Sequence, residues 1–278
     1  MKRYIALIAV LGLVLAACAT DGGDGAESGV SCEKENLTLV QEGVLTIGTD
    51  DPVFDPWMID NDPSNGQGFE SAVAYAVAEE LGFTAEEVEW VVVPFNNSYA
   101  PGEKDFDFDI NQISITPERD EVVDFSDGYY NANQALLGFA DSEIASVTTL
   151  EELRAFRLGA QVGTTSLDFI NDVIQPETEP LVYDTNADAK AAFDAGQLDG
   201  LVLDLPTAFY VSDVEIEGSA VIAQFPTGGE TGEQFGMLFE EGNPLRDCVN
   251  EALANIDLAA IQQEWLSDGV DAPVIALD

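Results

Sequence analysis

The sequence contains no histidine, and its 9 lysines and arginines stand against 53 aspartates and glutamates. Without histidine there is no Ser-His-Asp or Cys-His nucleophile machinery, and zinc or iron would lose their commonest ligand. A formal net charge of −44 excludes a nucleic-acid partner, because phosphates would be repelled. Cysteine is scarce as well, with three in the chain. Past the first fifteen residues no stretch is long and apolar enough to cross a membrane as a helix. Carboxylate acid–base chemistry stays open because Asp and Glu abound, but no residue pattern demands it.

The acids are spread along the chain rather than gathered in a tail, and 46% of residues are apolar, so this is not a disordered acidic segment. The excess has two readings. One is cation or metal binding. The other, which we prefer, is a solvated surface suited to salty surroundings, where self-repulsion is screened. Asp105, Asp107 and Asp109 alternate with phenylalanines and invite a calcium reading. An EF-hand loop starting at Asp105 would need Gly at its sixth position and Glu at its twelfth, where this chain has Ile110 and Thr116. The run reads instead as one polar face of a strand. No metal ligands and no cofactor are assigned.

The N-terminus reads as a targeting segment. Lys2 and Arg3 precede an almost unbroken apolar run, Tyr4 to Leu15, which ends Leu15-Ala16-Ala17-Cys18. The run has the size of a signal-peptide core rather than a span. Small residues before a cysteine fit a bacterial lipobox, in which Cys18 takes a diacylglycerol and residues 1–17 are removed; two acyl chains suffice for stable anchoring. The alternative is a plain secretory signal with an incidental Cys18. Residues 18–36 then form the lipidated cysteine and a flexible tether, poor in anything to bury. Cys32 and Cys248 remain. In an exported chain they suggest one disulfide, with two free buried thiols as the alternative.

Roughly 245 residues follow, enough for one large domain or two moderate ones. Val44 to Asp50 reads as a strand. Glu70 to Leu81 reads as a helix, with Val73, Val77 and Leu81 every fourth residue and Gly82 as its stop. Glu89 to Val93 and Phe106 to Ile115 read as further strands, an order that argues for a parallel sheet. The rhythm repeats: strands at Gln134 to Phe139, Arg157 to Val162 and Gly200 to Leu203, with helices at Leu150 to Ala155, Thr165 to Ile174 and Ala187 to Ala195. A strand at Phe235 to Phe239 and a helical region from Pro244 to Leu266, with room for a break, close the chain. A Cys32–Cys248 bridge would tie that last helix to the first unit. The expected fold is therefore α/β, two lobes joined by crossover strands near 134–140 and 233–239, hinged about a cleft.

Five stretches carry a resemblance. They are Gly48-Thr49-Asp50 with Pro56-Trp57; Gly68-Phe69-Glu70; Ser114-Ile115-Thr116-Pro117-Glu118-Arg119 with Val123-Asp124-Phe125-Ser126 and Tyr129-Tyr130; Val162-Gly163-Thr164-Thr165-Ser166; and Leu203-Asp204-Leu205-Pro206-Thr207-Ala208. In this order, from about residue 37 to about 268, the chain resembles the family-3 bacterial extracytoplasmic solute-binding proteins. The Thr-Pro-Glu-Arg and Val-Asp-Phe-Ser pair is its most specific part.

The resemblance implies a type II periplasmic-binding-protein-like fold, with lobe 1 formed by 37–133 and 240–278 and lobe 2 by 134–239. It implies a monomer that is not an enzyme. Such a protein is the extracytoplasmic component of an ABC importer, held to the cell membrane by its lipidated cysteine. It captures a free, polar amino acid and delivers it to membrane permease subunits. An amino-acid sensor serving a receptor, and a dehydratase-like enzyme on the same fold, are the alternatives.

Residue chemistry agrees with the resemblance. An amino acid carries a carboxylate and an ammonium on one carbon, so its pocket needs a cation and an anion. In so acidic a chain Arg119 is conspicuous, and its planar fork can hold a carboxylate in two parallel bonds; the alternative is a surface ion pair. The resemblance implies that Thr164 and Thr165 share that carboxylate, that the Ser114 hydroxyl or amide touches the ligand, and that Asp204, at a strand end, takes the ammonium. For Thr164, Thr165 and Asp204 the competing role is helix capping. Phe54 and Phe95 match apolar wall positions, with plain core as the alternative. Asp50 belongs to the same set. Asn111 and Gln112 replace the small residues many relatives have there, and their amides reach or narrow the pocket. Trp57 is expected to pack beneath the site.

Overall fold

A computed structural model describes residues 31–227, 232–266 and 272–277. The leader, Cys18 and the first part of the tether lie outside the described residues. The strands in chain order are β1 (Leu45–Thr49), β2 (Val88–Val92), β3 (Phe108–Asp109), β4 (Asp124–Phe125), β5 (Tyr130–Asn131), β6 (Gln134–Phe139), β7 (Leu158–Gln161), β8 (Leu181–Tyr183), β9 (Gly200–Asp204), β10 (Ser219–Phe225), β11 (Gln234–Phe235) and β12 (Leu238–Phe239). They form two five-stranded sheets, ordered β2-β1-β3-β12-β4 and β10-β6-β9-β7-β8, and a two-stranded ladder of β11 and β5. The fold is α/β, two lobes each built on one sheet.

The first sheet starts with β1, whose five residues are all buried. It runs parallel to β2 and β3, and the helix Phe69–Glu80 covers it with Phe69, Val73, Ala74 and Val77. The expected i, i+4 stripe is therefore the core-facing one. The terminal helical region breaks at Ile256 and Asp257 into Leu245–Asn255 and Leu258–Trp265. Its first part packs Leu245, Val249 and Leu253 into the same core as Phe69. Cys32 and Cys248 form a disulfide with Cα atoms 5.3 Å apart and a sequence separation of 216.

The second sheet is mixed. β7 runs parallel to β8 and β9, whereas β6 pairs antiparallel with both β9 and β10. That arrangement corrects one expectation. Gln134 to Phe139 is an interior strand of the second sheet rather than a crossover. The chain crosses earlier, where Tyr130 and Asn131 pair with Phe235 and Gln234. The apolar 134–139 run is explained by burial on both faces: Ala135, Leu136 and Leu137 are all fully buried.

A second correction concerns Phe106 to Ile115. Only Phe108–Asp109 is strand, and although Asp105 is exposed, Asp107 and Asp109 do not face solvent. Asp107 is 1% exposed and Asp109 0%. Asp107 accepts from the backbone N–H groups of Val40 (2.8 Å) and Thr46 (2.7 Å), which offsets its burial. Asp109 has no such partner among the described residues.

Candidate functional site

The two lobes meet over a narrow cleft, and short local motifs from each side aim residues into it. Thr116 caps the turn Pro117–Asp120, its hydroxyl accepting from the Arg119 N–H, with Pro117 at the first helical position. This cap fixes the backbone, so Arg119 points inward and keeps only 8% exposure. Its Nη1 donates to the Ser114 carbonyl (2.6 Å) and its Nη2 to the Gly163 carbonyl of the opposite lobe (2.9 Å). The guanidinium lies 5.5 Å from the Phe95 ring centre and 4.7 Å from that of Tyr99, a desolvated stacking that favours arginine.

On the second lobe, Gly163 turns the chain at a φ of 74°, a conformation that suits glycine. Thr164 then caps the helix: its hydroxyl accepts from the Leu167 N–H (3.2 Å) and donates to the Gln161 carbonyl (2.8 Å). The capping alternative thus describes Thr164's hydroxyl. Thr165 is different. Its hydroxyl lies 3.3 Å from the Ser114 hydroxyl across the cleft and donates to Glu233 Oε1 at 2.5 Å. The helix Thr165–Phe169 is five residues long and passes into a wider π turn at Ile170–Ile174, shorter than the expected continuous α-helix.

Asp204 ends β9 and precedes the helix Leu205–Tyr210, but its side chain makes no capping bond. Its carboxylate accepts from Gln134 Nε2 at 3.0 Å instead. Burial pushes its pKa well up, and the neighbouring Glu233 carboxylate adds to that. Asp50 accepts from the N–H groups of Asp51 (2.8 Å) and Phe95 (3.3 Å).

Asp50, Phe54, Phe95, Asn111, Gln112, Ser114, Thr164, Thr165 and Asp204 all line one cavity; Arg119 borders it through Ser114, Gly163 and Phe95. The sequence reading missed Gln161, Ser166, Asn186 and Thr207 on the same wall, and also Tyr99, Gln134 and Glu233. Phe54 faces the cleft and carries Lys190 of the opposite lobe 4.5 Å from its ring centre. Trp57 is fully buried beneath the site, as expected, and its indole donates across the lobes to the Thr207 hydroxyl at 2.8 Å. The enclosed space is about 40 Å³, because side chains of the two lobes bond one another across it. That is room for a water molecule or so.

Behind Gln112 lies a buried acid, Glu70, fully out of solvent. It accepts from the Gln112 N–H (2.7 Å), the Gln112 side-chain amide and the Tyr129 hydroxyl. Gln112 is thus turned toward Glu70, at a φ of 47°, rather than standing free in the cavity. Burial outweighs these three donors and pushes the Glu70 pKa to about 7. Asp109 and Asp50 are pushed up beside it, also chiefly by burial.

A pH dependence follows. The folded state holds the Glu70 proton to higher pH than the unfolded chain, so between pH 4.5 and 7 it binds more protons. Stability is therefore full below pH 4.5 and is lost as pH rises through 7, by about 3 kcal/mol for this one group. Glu70→Gln should flatten the difference between denaturant midpoints at pH 5 and pH 8. An equal slope in both proteins would assign the dependence to other groups. The slope is the readout because the amide also disturbs the Gln112 contact at every pH.

Three comparisons bear on the site. Residues 45–268 match the model of the bacterial extracellular solute-binding proteins, family 3. The ABC transporter glutamine-binding protein GlnH of Bacillus subtilis (strain 168) is 29% identical, over 96% of this chain and 98% of its own. The arginine-binding extracellular protein ArtP of the same organism is 25% identical, over 96% and 99%. Among solved structures, an ancestral arginine-binding protein bound to arginine superposes with a TM-score of 0.68 at 27% identity, over 81% of this chain and 99% of its own.

Proposed function

Because the chain belongs to the bacterial extracellular solute-binding proteins of family 3, we propose that it is the amino-acid-binding component of an ABC importer. The expected lobe bounds need two changes: β12 belongs to the first sheet, and residues 272–277 pack on the second lobe, where Val274 bridges Gln224 and Ile275 joins the core of Leu136. In this reading residues 37–133 with 234–266 form one functional lobe, and 134–227 with 272–277 the other. Cys18 anchors the mature protein to the outer side of the cell membrane, and the closed form docks on permease subunits. Relatives are named for glutamine and for arginine; what those ligands share is an α-carboxylate and an α-ammonium.

The observation that carries the reading is the arrangement around Arg119. Its fork has more donors than the bonds to Ser114 and Gly163 use. The hydroxyls of Ser114 and Thr165, one from each lobe, lie 3.3 Å apart at the same place. The Asp204 carboxylate faces them from the end of β9, among the lining residues. A carboxylate held by the first three groups would carry its ammonium toward the fourth. Asp50, Asn111, Gln112, Phe54 and Phe95 then surround the side chain. An amino acid exceeds the 40 Å³ enclosed here, so entry requires the lobes to part about the β5–β11 ladder. A ligand that touches both lobes favours the closed form by differential contact.

Thermal unfolding of the mature protein against the twenty amino acids, singly, tests this. A ligand of the folded state alone should add ~2.7 kcal/mol of stability at a hundred times its dissociation constant. A rise confined to one chemical group of amino acids names the substrate. No rise with any of them would sink the free-amino-acid reading.

A further inference from the structure

One carboxylate already occupies the place where a ligand carboxylate is expected, and it belongs to the chain. Oε1 of Glu233 accepts from the Ser114 hydroxyl at 2.7 Å and from the Thr165 hydroxyl at 2.5 Å. Gln134 Nε2 donates to both Glu233 oxygens, at 3.2 and 3.3 Å, and to Asp204 at 3.0 Å. Glu233 immediately precedes the crossover strand β11. Its backbone is held on both sides: its N–H donates to the Thr227 carbonyl (2.7 Å), and its carbonyl accepts from the Ala132 N–H (3.0 Å). The side chain is therefore delivered into the cleft from the hinge, and it bonds one hydroxyl of each lobe.

We propose that Glu233 is a built-in competitor for the ligand carboxylate, a latch that bonds Ser114 and Thr165 across the cleft and must be displaced for an amino acid to seat. The inference rests on the reading that those two hydroxyls hold the ligand's carboxylate. A hydroxyl has one proton to donate, so Ser114 and Thr165 cannot serve two carboxylates at once. Charge-assisted bonds of this kind are among the stronger ones available. Two carboxylates beside Asp204 would also repel, and Arg119 is the nearby cation in contact with Ser114. Ligand affinity is thus a difference between two anions competing for one slot. The latch also explains the small enclosed space, since it draws the lobes together through their own side chains.

The opposite role has the opposite sign. If Glu233 instead received the ligand's ammonium alongside Asp204, removing it would weaken binding. Calorimetric titration of wild type, Glu233→Ala and Glu233→Gln with each of the twenty L-amino acids separates the two. The latch predicts that Glu233→Ala binds at least about tenfold tighter than wild type, or binds an amino acid that wild type does not detectably hold. Glu233→Gln, which keeps an acceptor but no charge, should fall between. Without added amino acid, the unfolding midpoint of Glu233→Ala should be lower than that of wild type, and its rise on adding the amino acid larger. Unchanged or weaker binding in Glu233→Ala, with wild type binding normally, overturns the latch and leaves the amino-acid reading standing. Binding by none of the three proteins overturns both.

Discussion

Arg119→Ala should lower affinity for the amino acid by at least about a hundredfold, the scale set by cutting one partner out of a buried, hydrogen-bonded charge pair. Arg119 is 8% exposed, in a cleft where the surrounding charges are acids: Asp168, Glu233 and Asp204 all act on its guanidinium. Truncation removes the bidentate fork and also leaves an incoming carboxylate facing those acids with no cation to offset them. The fold should survive. The turn Pro117–Asp120 is set by the Thr116 cap and Pro117 rather than by the arginine side chain, and the lost carbonyl bonds to Ser114 and Gly163 lie at the cleft. Arg119→Lys keeps the charge but loses the planar fork and its stacking on Phe95 and Tyr99, so it should bind with intermediate affinity. Calorimetric titration, with far-UV circular dichroism to confirm folding, reads both variants. Arg119→Ala binding within threefold of wild type would remove Arg119 from the site.

Glu233 makes the same electrostatic point from the other side, and it was invisible in the sequence for a physical reason. It is one of 53 acids, and nothing in its local pattern separates a glutamate aimed into a cleft from one aimed at solvent. Its aim comes from the β5–β11 ladder, a long-range pairing. Arg119 was legible because basic residues are rare in this chain and because it ends the Thr-Pro-Glu-Arg segment that carries the resemblance. The helix Phe69–Glu80 was legible for the same kind of local reason, a stripe every fourth residue closed by Gly82.

Asp107 and Asp109 misled because period two says that neighbouring side chains point opposite ways, not which way is out. With β3 in the middle of its sheet, between β1 and β12, both faces are interior. Asp107 then finds backbone donors, while Asp109 sits among Glu70 and Asp50 with its pKa pushed up. The first crossover was misplaced for a related reason. The apolar run 134–139 signals burial but cannot say in which sheet, and the pairing of β6 with β9 and β10 decides that.

Opening the Cys32–Cys248 bridge should produce the largest loss of stability. The bridge closes a loop spanning 216 residues, and chain entropy puts its contribution at up to about 5 kcal/mol. A chain of this size would lose on the order of 10 °C in unfolding midpoint for that amount. The loss should fall on the first lobe, because Cys248 lies on the helix Leu245–Asn255, whose Val249 and Leu253 share a core with Phe69 and Val73. Cys32→Ser is the better probe, since Cys248 is buried and a hydroxyl there would add a cost of its own. None of the residues lining the groove at Cys32 lines the cleft, so binding measured well below the midpoint should be unchanged. Scanning calorimetry with and without reductant, on wild type and Cys32→Ser, provides the check. Reductant should lower the wild-type midpoint to that of the variant and leave the variant where it is. A wild-type shift below about 2 °C would mean that packing of the last helix, rather than the covalent tie, holds the two ends of the fold together.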